Sequence, residues 1–537
     1  MVDYYVSTNG LDEDNGGILD PFLTIAKAAE VTSPGDIVYI REGVYSAGFD
    51  RVENTINSGS TEGHIKYTNY NDEEVIVRKG KSFSDGWVFV SDNPSGFDNP
   101  SDFNNFPGDG NPSNSDGFYY RDFSDSDGIY FGDEGREGYL GDFPGVAGIK
   151  EAGIEGDDNS GYAIPGSLYI EEIYFHPIEL INLDVMYVDY SNKRIYLRLS
   201  YGYPSDVYIV DNTHGRAFAT HSSYIEFDGL IIEYSYEGFN FTDDKAGGGA
   251  THIIVKNCDV RYMTGQGVYT STGGVSDCVF DNNHFYYTGR LFYYSQNWSS
   301  WILNSEHHSF YINSCHRSVF SNNICEKCCG IAIYMASSLS TPTESQLPKD
   351  EEIYYNYAEG VMFRGKNLDI HNNIFIDNPN KLTDPICRIA GPSENIDFYD
   401  NVIINNISLG KNTLQVGDGY GENVDFSFNN NIVITNDLVT GDTIFLTAVE
   451  YSSLEMTGNL YYGSHLYHAY IQAYLSFDTY KSAMYNTDGL EEETYAISGR
   501  LEDIILDSEN SYSMAYRLLA YIEYRDSERS TIYMEKR

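Results

Sequence analysis

Residues 367–376 carry the clearest structural pattern of the chain: Asn367-Leu368-Asp369-Ile370-His371-Asn372-Asn373-Ile374-Phe375-Ile376. Apolar residues alternate with polar ones before the two asparagines and resume directly after them, which is the alternation of a β-strand and not of a helix. The pattern predicts a strand, a bend and a second strand. Asparagine suits the bend because it tolerates the left-handed conformation and because its amide can bond neighbouring backbone.

The same step, an apolar residue three places before an asparagine, occurs seven times in the second half of the chain. The pairs are Ile254/Asn257, Phe280/Asn283, Phe320/Asn323, Ile370/Asn373, Phe398/Asn401, Phe428/Asn431 and Met456/Asn459. The asparagines lie 26, 40, 50, 28, 30 and 28 residues apart, so four intervals share a period near 28 and the two long ones indicate inserted loops. This recurrence predicts a solenoid whose coils stack at about 4.8 Å, so that identical amides can bond each other from coil to coil.

Composition sets limits on the partners. The 537 residues are 41% hydrophobic and 15% aromatic, with 49 tyrosines, which is ample for one continuous core, so we expect a single long body. Only 33 Lys and Arg stand against 80 Asp and Glu, a formal net charge of -47. Such a charge repels phosphate backbones, so we expect no nucleic-acid partner. It also favours neutral sugars over polyanionic glycans, unless local arginines or bound cations reverse the field.

The seven cysteines include Cys325, Cys328 and Cys329 in a C-x-x-C-C arrangement, but no second C-x-x-C completes a zinc site. We expect buried free thiols, because cysteine packs as a small hydrophobe. The N-terminus shows neither the basic nor the apolar region of a signal peptide, and no apolar run is long enough to span a membrane. We therefore expect no membrane insertion, and export either by another route or after removal of a leader.

The first residues carry a second signal. Residues 4–10, 21–30, 34–41 and 43–45 read as a strand, a short helix with Thr24 as its cap, a Pro-Gly turn and further strand. Here the chain resembles the N-terminal cap and first coil of right-handed parallel β-helix proteins, the pectate-lyase-like superfamily, and residues 59–67, 188–199 and 224–232 match that pattern as well. The resemblance implies an all-β, right-handed parallel β-helix over residues 1–464 and a C-terminal capping segment over 465–537. The superfamily includes lyases, glycoside hydrolases, esterases and non-catalytic phage spikes, so the resemblance implies the fold more sharply than the chemistry.

A run rich in Gly, Asp, Asn, Ser and Pro, about residues 92–167, interrupts the repeat and predicts an inserted region. Within it, Asp125-Ser126-Asp127-Gly128 and Glu134 keep part of the spacing of a calcium loop, although Phe123 stands where the first acidic ligand belongs. The sequence requires no cofactor, and calcium is the one that this segment suggests.

The two long intervals are adjacent, so residues 293–308 and 337–364 should wall one groove. Flat aromatic faces suit sugar rings, and arginine suits their polar groups. The predicted substrate-binding residues are Tyr293, Trp298, Trp301, Tyr355 and Arg364.

Two reactions remain open for this groove. A glycosidase needs two carboxyl groups, one protonated and one ionised, for which Glu306 could pair with Asp281, Glu351 or Glu359. A lyase needs a base beside a uronate and a cation to neutralise it, for which His308 could act with Arg317 or Arg364. Lyases of the superfamily often use Lys or Arg with clustered calcium ligands, and no lysine of these strand segments suits that role, so the sequence slightly favours hydrolysis.

Three functions compete at this point. The first is an enzyme that binds and cleaves an extracellular or cell-surface polysaccharide. The second is a phage tail spike or other virion appendage, expected as a homotrimer, in which the β-helix serves adhesion. The third, an intracellular scaffold, leaves the clustered aromatic residues unexplained. The first two place the protein outside the cell or on a virion surface.

Overall fold

The computed structural model of the protein describes residues 1–50, 54–82, 86–90, 118–122, 162–163, 168–170, 185–189, 194–198, 207–209, 216–242, 249–263, 265–270, 275–289, 292–295, 300–303, 308–328, 330–337, 342–343, 346–378, 385–405, 412–417, 423–435, 444–446, 454–457, 459–462, 467–469, 473–475 and 495–496. Most of the described strands belong to three 12-stranded sheets that run side by side along the molecule. Each coil contributes one short strand to each sheet in turn, and neighbouring coils pair in parallel. The chain is therefore the right-handed parallel β-helix that the sequence predicts.

Sheet 1 comprises Asp3–Val6, Ile37–Ile40, Ile65–Asn69, Ile225–Asp228, Ile253–Lys256, Val279–Asp281, Val319–Ser321, Lys349–Tyr354, Lys366–His371, Ser393–Tyr399, Asn423–Asn429 and Leu454–Thr457. Sheet 2 comprises Gly43–Tyr45, Val75–Arg78, Ile231–Glu233, Asp259–Arg261, His284–Tyr286, Ile324–Glu326, Tyr357–Glu359, Ile374–Ile376, Val402–Asn405, Ile432–Thr435, Leu460–Tyr462 and Tyr495–Ala496. Sheet 3 comprises Phe49–Asp50, Arg216–Thr220, Glu237–Phe241, Val268–Thr270, Phe310–Ile312, Ile333–Met335, Val361–Phe363, Cys387–Ile389, Leu414–Val416, Ile444–Leu446, Tyr467–Ala469 and Ala473–Leu475, the last of which pairs antiparallel. Solenoid pairing thus continues beyond residue 464.

A short helix, Ile25–Val31, covers the first coil, and Thr24 caps it as predicted. The Thr24 hydroxyl oxygen accepts a hydrogen bond from the Lys27 backbone N–H at 3.1 Å, which satisfies one of the open donors of the first turn. Ile25, Ala28 and Ala29 face the core and are fully buried. The helix therefore closes the apolar end of the solenoid.

Two neighbouring positions have different structural roles at the corner between sheets 1 and 2. The first is left-handed, with φ of 53° at Asn282 and 55° at Asn322, and lies at the surface. The second is buried and forms a ladder: both the backbone N–H and the side-chain N–H of Asn283 donate to the side-chain oxygen of Asn323, at 3.1 and 3.0 Å. The sequence analysis assigned both properties to one asparagine, and the structure separates them.

The ladder also corrects the predicted repeat at two points. In the coil of Ile254 and Asn257, the ladder position is Cys258, whose backbone N–H donates to the Asn283 side chain, and Asn257 instead takes the left-handed position. The interval of 50 residues after Asn323 holds an additional ladder member, Asn356, and so a complete extra coil. Residues 349–363 are consequently three solenoid strands and not part of an inserted loop.

The strand pairing also shows that the insertion predicted at residues 92–167 is longer than expected. Ile65–Asn69 pairs directly with Ile225–Asp228, and Val75–Arg78 pairs with Ile231–Glu233, so residues 79–215 interrupt the solenoid between sheets 2 and 3. Within the interruption, Val185–Asp189 and Arg194–Arg198 form antiparallel pairs. The match of residues 188–199 to a solenoid coil was therefore wrong, because an alternating hairpin strand and a coil strand share one pattern.

The interior is one continuous apolar column in which like residues stack, such as Phe280 on Phe320 with ring centroids 4.9 Å apart. Within the described residues, all six cysteines are buried free thiols, as predicted: Cys258, Cys278, Cys315, Cys325, Cys328 and Cys387. Cys329 lies outside the described residues. No described helix is long and apolar enough to cross a bilayer.

Candidate functional site

The outer face of sheet 3 lies between insertions. Residues 79–215 and 290–307 both interrupt the corner that leads from sheet 2 into sheet 3, whereas residues 338–348 follow sheet 3. Phe292–Ser295 pairs with Ser300–Leu303 and with Tyr162–Ala163, so the two insertions before sheet 3 join in one antiparallel sheet. The insertions therefore leave the solenoid at opposite edges of sheet 3, and the outer face of that sheet is the candidate floor of the predicted groove.

A column of side chains runs along this floor, one from each coil, at positions that pair in register. We call it the sheet 3 column, and it consists of Asn240, Tyr269, Tyr311, Tyr334, Met362, Arg388 and Gln415. Its members after Asn240 are half-buried, and the residues on either side of each one face the core. The three-residue strands thus place a single outward side chain between two inward ones.

Three tyrosines form the centre of the column. The rings of Tyr269 and Tyr311 stack with centroids 5.5 Å apart, and those of Tyr311 and Tyr334 with centroids 5.0 Å apart and planes 7° from parallel. Because the ring faces cover one another along the solenoid axis, the edges and hydroxyl groups are what this stack can present outward. The arrangement repeats one aromatic, hydrogen-bonding group at the step of the coil.

His308 stands at the edge of the column, on the side of the hairpin. Its ring stacks on Tyr334 at 4.8 Å and on Tyr311 at 5.4 Å, and its backbone N–H donates to the Gln266 side chain at 2.5 Å. The ring Nδ1 lies 2.8 Å from the Ile331 carbonyl oxygen, which can only accept. Nδ1 therefore carries the proton of the neutral ring, and Nε2 is its basic nitrogen. The residue is 3% exposed.

Arg364 stands at the opposite edge of the same face, directly after Val361–Phe363. It is buried, its backbone N–H donates to the Met335 carbonyl at 2.8 Å, and its guanidinium lies 3.4 Å from the Ser337 carbonyl oxygen. Arg388 adds a second guanidinium within the column. Two of the sequence-predicted residues, His308 and Arg364, thus lie at the two edges of sheet 3, and both side chains are buried.

Other predicted residues lie elsewhere on the solenoid. Asp281 is on sheet 1, where it accepts hydrogen bonds from Ser321 and Asn322 at 2.6 and 2.8 Å. Arg317 occupies a left-handed position at the corner before sheet 1 and pairs through two contacts with Asp277. Tyr355 is exposed at the corner between sheets 1 and 2. The structure does not bring these three residues to the sheet 3 column.

Glu351 and Glu359, the alternative partners for a glycosidase pair, are both buried. Glu351 is 1% exposed inside the solenoid, where its carboxylate accepts from the Ser318 backbone N–H at 2.9 Å, and burial raises its pKa well above the ordinary value. Glu359 lies at the corner between sheets 2 and 3. Burial, followed by the charge of Glu326, raises the pKa of Glu359 to about 8. Both carboxyl groups are therefore held in the neutral form. Glu351 is neutral because it is buried, and Glu359 because it is buried beside the acidic Glu326.

Several predicted residues cannot be placed beside the column in side-chain detail. Glu306 and Trp298 lie outside the described residues. Tyr293 and Trp301 belong to the two strands of the hairpin, in which Tyr294 is registered with Trp301 and Tyr293 with Ile302. The hairpin that contains them leaves the solenoid at the corner before sheet 3.

The suggested calcium segment, residues 125–134, also lies outside the described residues. Among the residues that the structure describes, no three His, Cys, Asp or Glu side chains are grouped closely enough to hold a metal ion.

The sequence analysis missed the three column tyrosines. Their signal is a tyrosine between two core residues in a three-residue strand, as in Val268-Tyr269-Thr270, Phe310-Tyr311-Ile312 and Ile333-Tyr334-Met335. The asparagine step marks another corner and does not reveal which later strand faces the groove.

No protein-family model matches the chain. A stretch of 73 residues, 14% of the chain, is 40% identical to the uncharacterized protein YwoF of Bacillus subtilis (strain 168), and the match spans 15% of that protein's length.

Three solved structures align with much of the chain at low identity. A structure of XylC in complex with xylose is 14% identical, with 87% of this chain and 70% of that chain covered and a TM-score of 0.45. A glycoside hydrolase is 10% identical, with 96% and 98% covered and a TM-score of 0.42. Pectate lyase Pel9A is 11% identical, with 93% and 78% covered and a TM-score of 0.33. It is the strand pairing of the chain itself that establishes the right-handed parallel β-helix expected from its resemblance to the pectate-lyase-like superfamily.

Proposed function

We propose that the protein binds an extended polysaccharide along the sheet 3 column and cleaves it beside His308. The observation that carries the proposal is the register of Tyr269, Tyr311 and Tyr334 on consecutive coils, between two walls of inserted chain. A small ligand needs one such group. A series of equivalent groups suits a ligand that is itself a repeating polymer.

The spacing supports a polysaccharide in particular. Parallel strands step by about 4.8 Å, which is close to the length of one sugar residue in an extended chain. A polysaccharide laid along the axis would therefore offer a hydroxyl or ring edge to each tyrosine in turn. Tyrosine serves both purposes, because its ring is apolar and its hydroxyl both donates and accepts.

The charges beside the column favour elimination over the hydrolysis suggested by the sequence. Glu237, which accepts a hydrogen bond from Asn240 at 2.5 Å, and Asp50, which is in register with Asn240 through Ala219, lie at least two coils before Tyr311, whereas a glycosidase needs two carboxyl groups near the scissile bond. Arg364 and Arg388 can neutralise a uronate carboxylate. The basic Nε2 of His308 would then remove the proton from the sugar carbon next to that carboxylate, a carbon–carbon double bond would form, and the glycosidic oxygen would leave and be protonated by water.

The substrate class that follows is a uronate-containing polysaccharide, recognised outside the cell or on a virion surface. The net charge of -47 disfavours such a polyanion at long range, so binding should depend on the arginines of this one face. A virion spike that binds without cleaving would use the same column, and we expect a homotrimer only in that case.

The test is a panel of uronate and neutral polysaccharides, followed by absorbance for unsaturated uronates and by a reducing-end assay. We expect new reducing ends together with absorbance on a uronate polymer. The change His308→Gln should lower the rate by 100-fold or more with little effect on binding, as expected for loss of a general base. Reducing ends without absorbance would establish hydrolysis and overturn the elimination. Binding without either product would indicate an adhesin.

Binding is tested separately with Tyr311→Ala and Tyr334→Ala. A matched control is Tyr354→Ala, because Tyr354 stacks on His371 at 5.2 Å in a similar aromatic stack on the outer face of sheet 1. We expect the two column variants to weaken polysaccharide binding at least tenfold and the control to bind normally. Equal losses in all three variants, or none, would contradict the assignment of the binding face.

A further inference from the structure

A buried amide lies against the backbone of His308. Gln266 is 6% exposed, and its side-chain oxygen accepts a hydrogen bond from the His308 backbone N–H at 2.5 Å. His308 is the first residue after the insertion of residues 290–307, so this N–H stands where the inserted chain re-enters the solenoid. We propose that Gln266 is the positioning residue of His308: its oxygen fixes the backbone from which the His308 ring reaches the Ile331 carbonyl. The inference rests on the proposed role of His308 as the base.

The preceding coil holds the carbonyl side of the same segment. The Gly267 N–H donates to the His308 carbonyl at 3.0 Å, and the Val268 N–H donates to the Ser309 carbonyl at 2.7 Å. A Cβ at position 267 would lie only 2.6 Å from the Ser309 carbonyl oxygen, so glycine is what permits this close approach. These contacts fix the carbonyl of His308, whereas the Gln266 side chain fixes its N–H.

The following coil directs the ring. Nδ1 of His308 lies 2.8 Å from the Ile331 carbonyl oxygen, and the ring stacks on Tyr334 with centroids 4.8 Å apart. Because Gln266 fixes the peptide group that leads into His308, it also fixes the point from which the ring extends. With backbone and ring both held, Nδ1 keeps the proton and Nε2 keeps its lone pair. A base needs such placement, since an error of about 1 Å can lower a rate by about 100-fold.

Removal of the amide oxygen should release this arrangement. The buried His308 N–H would lose the Gln266 acceptor, and a buried donor that loses its partner is costly, so the backbone should shift toward another acceptor. The ring would then no longer be held to the Ile331 carbonyl, and both neutral tautomers would become available. Gln266 lies at the edge of the sheet 3 column and is not one of its members, so we expect the loss in kcat rather than in KM.

The first measurement is the tautomer of His308 in the full chain without substrate. Protein labelled with 15N-histidine is studied by long-range proton–nitrogen NMR at about pH 9, well above the ordinary pKa of histidine. The His308 signals are identified by their absence in His308→Gln. We expect the Nδ1–H form in the unaltered protein and in Gln266→Glu, whose carboxyl oxygen accepts the same bond. Gln266→Met, which has a similar size but no such oxygen, should show both tautomers.

A second variant keeps the measurement decisive if Gln266→Met does not fold. Gln266→Asn retains an amide but withdraws its oxygen by one carbon, so it should also show both tautomers. Asn405→Leu is the matched control. It removes a fully buried amide that donates to the Thr413 hydroxyl at 3.2 Å, four coils further along sheet 3, and should leave the His308 tautomer unchanged.

Steady-state kinetics on a cleaved polysaccharide provide the second readout. Gln266→Met should lower kcat about tenfold or more with KM changed by less than about twofold, and Gln266→Glu should retain most of kcat. A pure Nδ1–H form in Gln266→Met and Gln266→Asn would overturn the positioning role, as would equal mixtures of tautomers in Gln266→Met and Gln266→Glu. If the unaltered protein cleaves no polysaccharide, the proposed function fails, and the tautomer still decides the role of Gln266.

Discussion

Two corners of the solenoid contrast sharply. The corner between sheets 1 and 2 repeats one buried asparagine at Asn283, Asn323, Asn356, Asn373, Asn401, Asn431 and Asn459. The corner between sheets 2 and 3 differs from coil to coil: in one coil it is the single residue Gly360, and in others it contains an insertion. In four coils its left-handed position is occupied by Tyr234, Tyr262, Tyr287 or Lys327. The uniform corner holds the coils in register, and the variable corner is where chain is added to the solenoid.

The two corners also differ in their ionisable groups. The asparagine ladder is neutral and each amide is bonded to its neighbours, so it is insensitive to pH. At the variable corner, by contrast, Glu326 and Glu359 lie on adjacent coils, the Lys327 backbone N–H donates to Glu359 at 2.6 Å, and His284 lies 3.2 Å from Glu326. The fold is thus held at one corner by groups that do not titrate, while ionisable groups gather near the proposed site.

The largest expected effect on stability comes from breaking the uniform corner with Asn323→Ala. The change removes the acceptor of two Asn283 N–H groups and the donor to the Phe280 carbonyl, all of them buried. Leaving buried polar groups unsatisfied should cost about 3 kcal/mol or more in the free energy of unfolding, measured by urea denaturation.

The neighbouring Asn322→Gly is the matched control, because Asn322 is at the surface in the left-handed position that glycine adopts without strain. Its effect should stay below about 1 kcal/mol. Equal losses for the two variants would mean that the ladder has no special role.

The second effect is on the pH dependence of stability at the variable corner. The Glu359 carboxyl has an ordinary pKa of 4.5 and a folded-state pKa of about 8, so the folded protein keeps a proton that the unfolded chain loses as pH rises through this window. Stability should therefore fall between pH 4.5 and 8, by up to about 1.4 kcal/mol per pH unit. Glu359→Gln should flatten this slope.

Denaturant titrations at several pH values measure the slope. Glu352→Gln, at a half-exposed carboxyl on sheet 1, should leave it as it is in the unaltered protein. An unchanged slope in Glu359→Gln would show that this carboxyl titrates normally in the folded state.

The smallest effect is expected for Arg317→Ala. The Arg317 side chain is 56% exposed and pairs with Asp277 at the surface, and such pairs contribute less than about 1 kcal/mol. Polysaccharide cleavage should also be unaffected, because the residue lies at the corner before sheet 1 and away from the column. A strong loss of activity at normal stability would restore Arg317 as a catalytic residue.

The fold could be predicted because a ladder needs the same residue at the same place in every coil. The extra coil at Asn356 was not predicted, because its 17 residues are far fewer than the expected repeat of about 28. Ile353 and Asn356 nevertheless show the same step of three residues. The site was only partly predictable. The insertions indicate the edges of sheet 3, beside which His308 and Arg364 lie, but placing Asp281, Arg317 and Tyr355 requires knowing the sheet to which each strand belongs. Because the coils differ in length, the sequence alone does not show to which sheet a given strand belongs.

The short coil between Asn356 and Asn373 has a practical consequence. Seventeen residues suffice for one full turn, and the ladder bonds across it are as short as those between longer turns, at 2.9 and 3.0 Å. Length along the axis is therefore set by the number of turns and not by the number of residues. Removing or duplicating whole turns between ladder asparagines would shorten or extend the molecule in equal increments, and the reach of its binding face along a polymer could be adjusted in the same way.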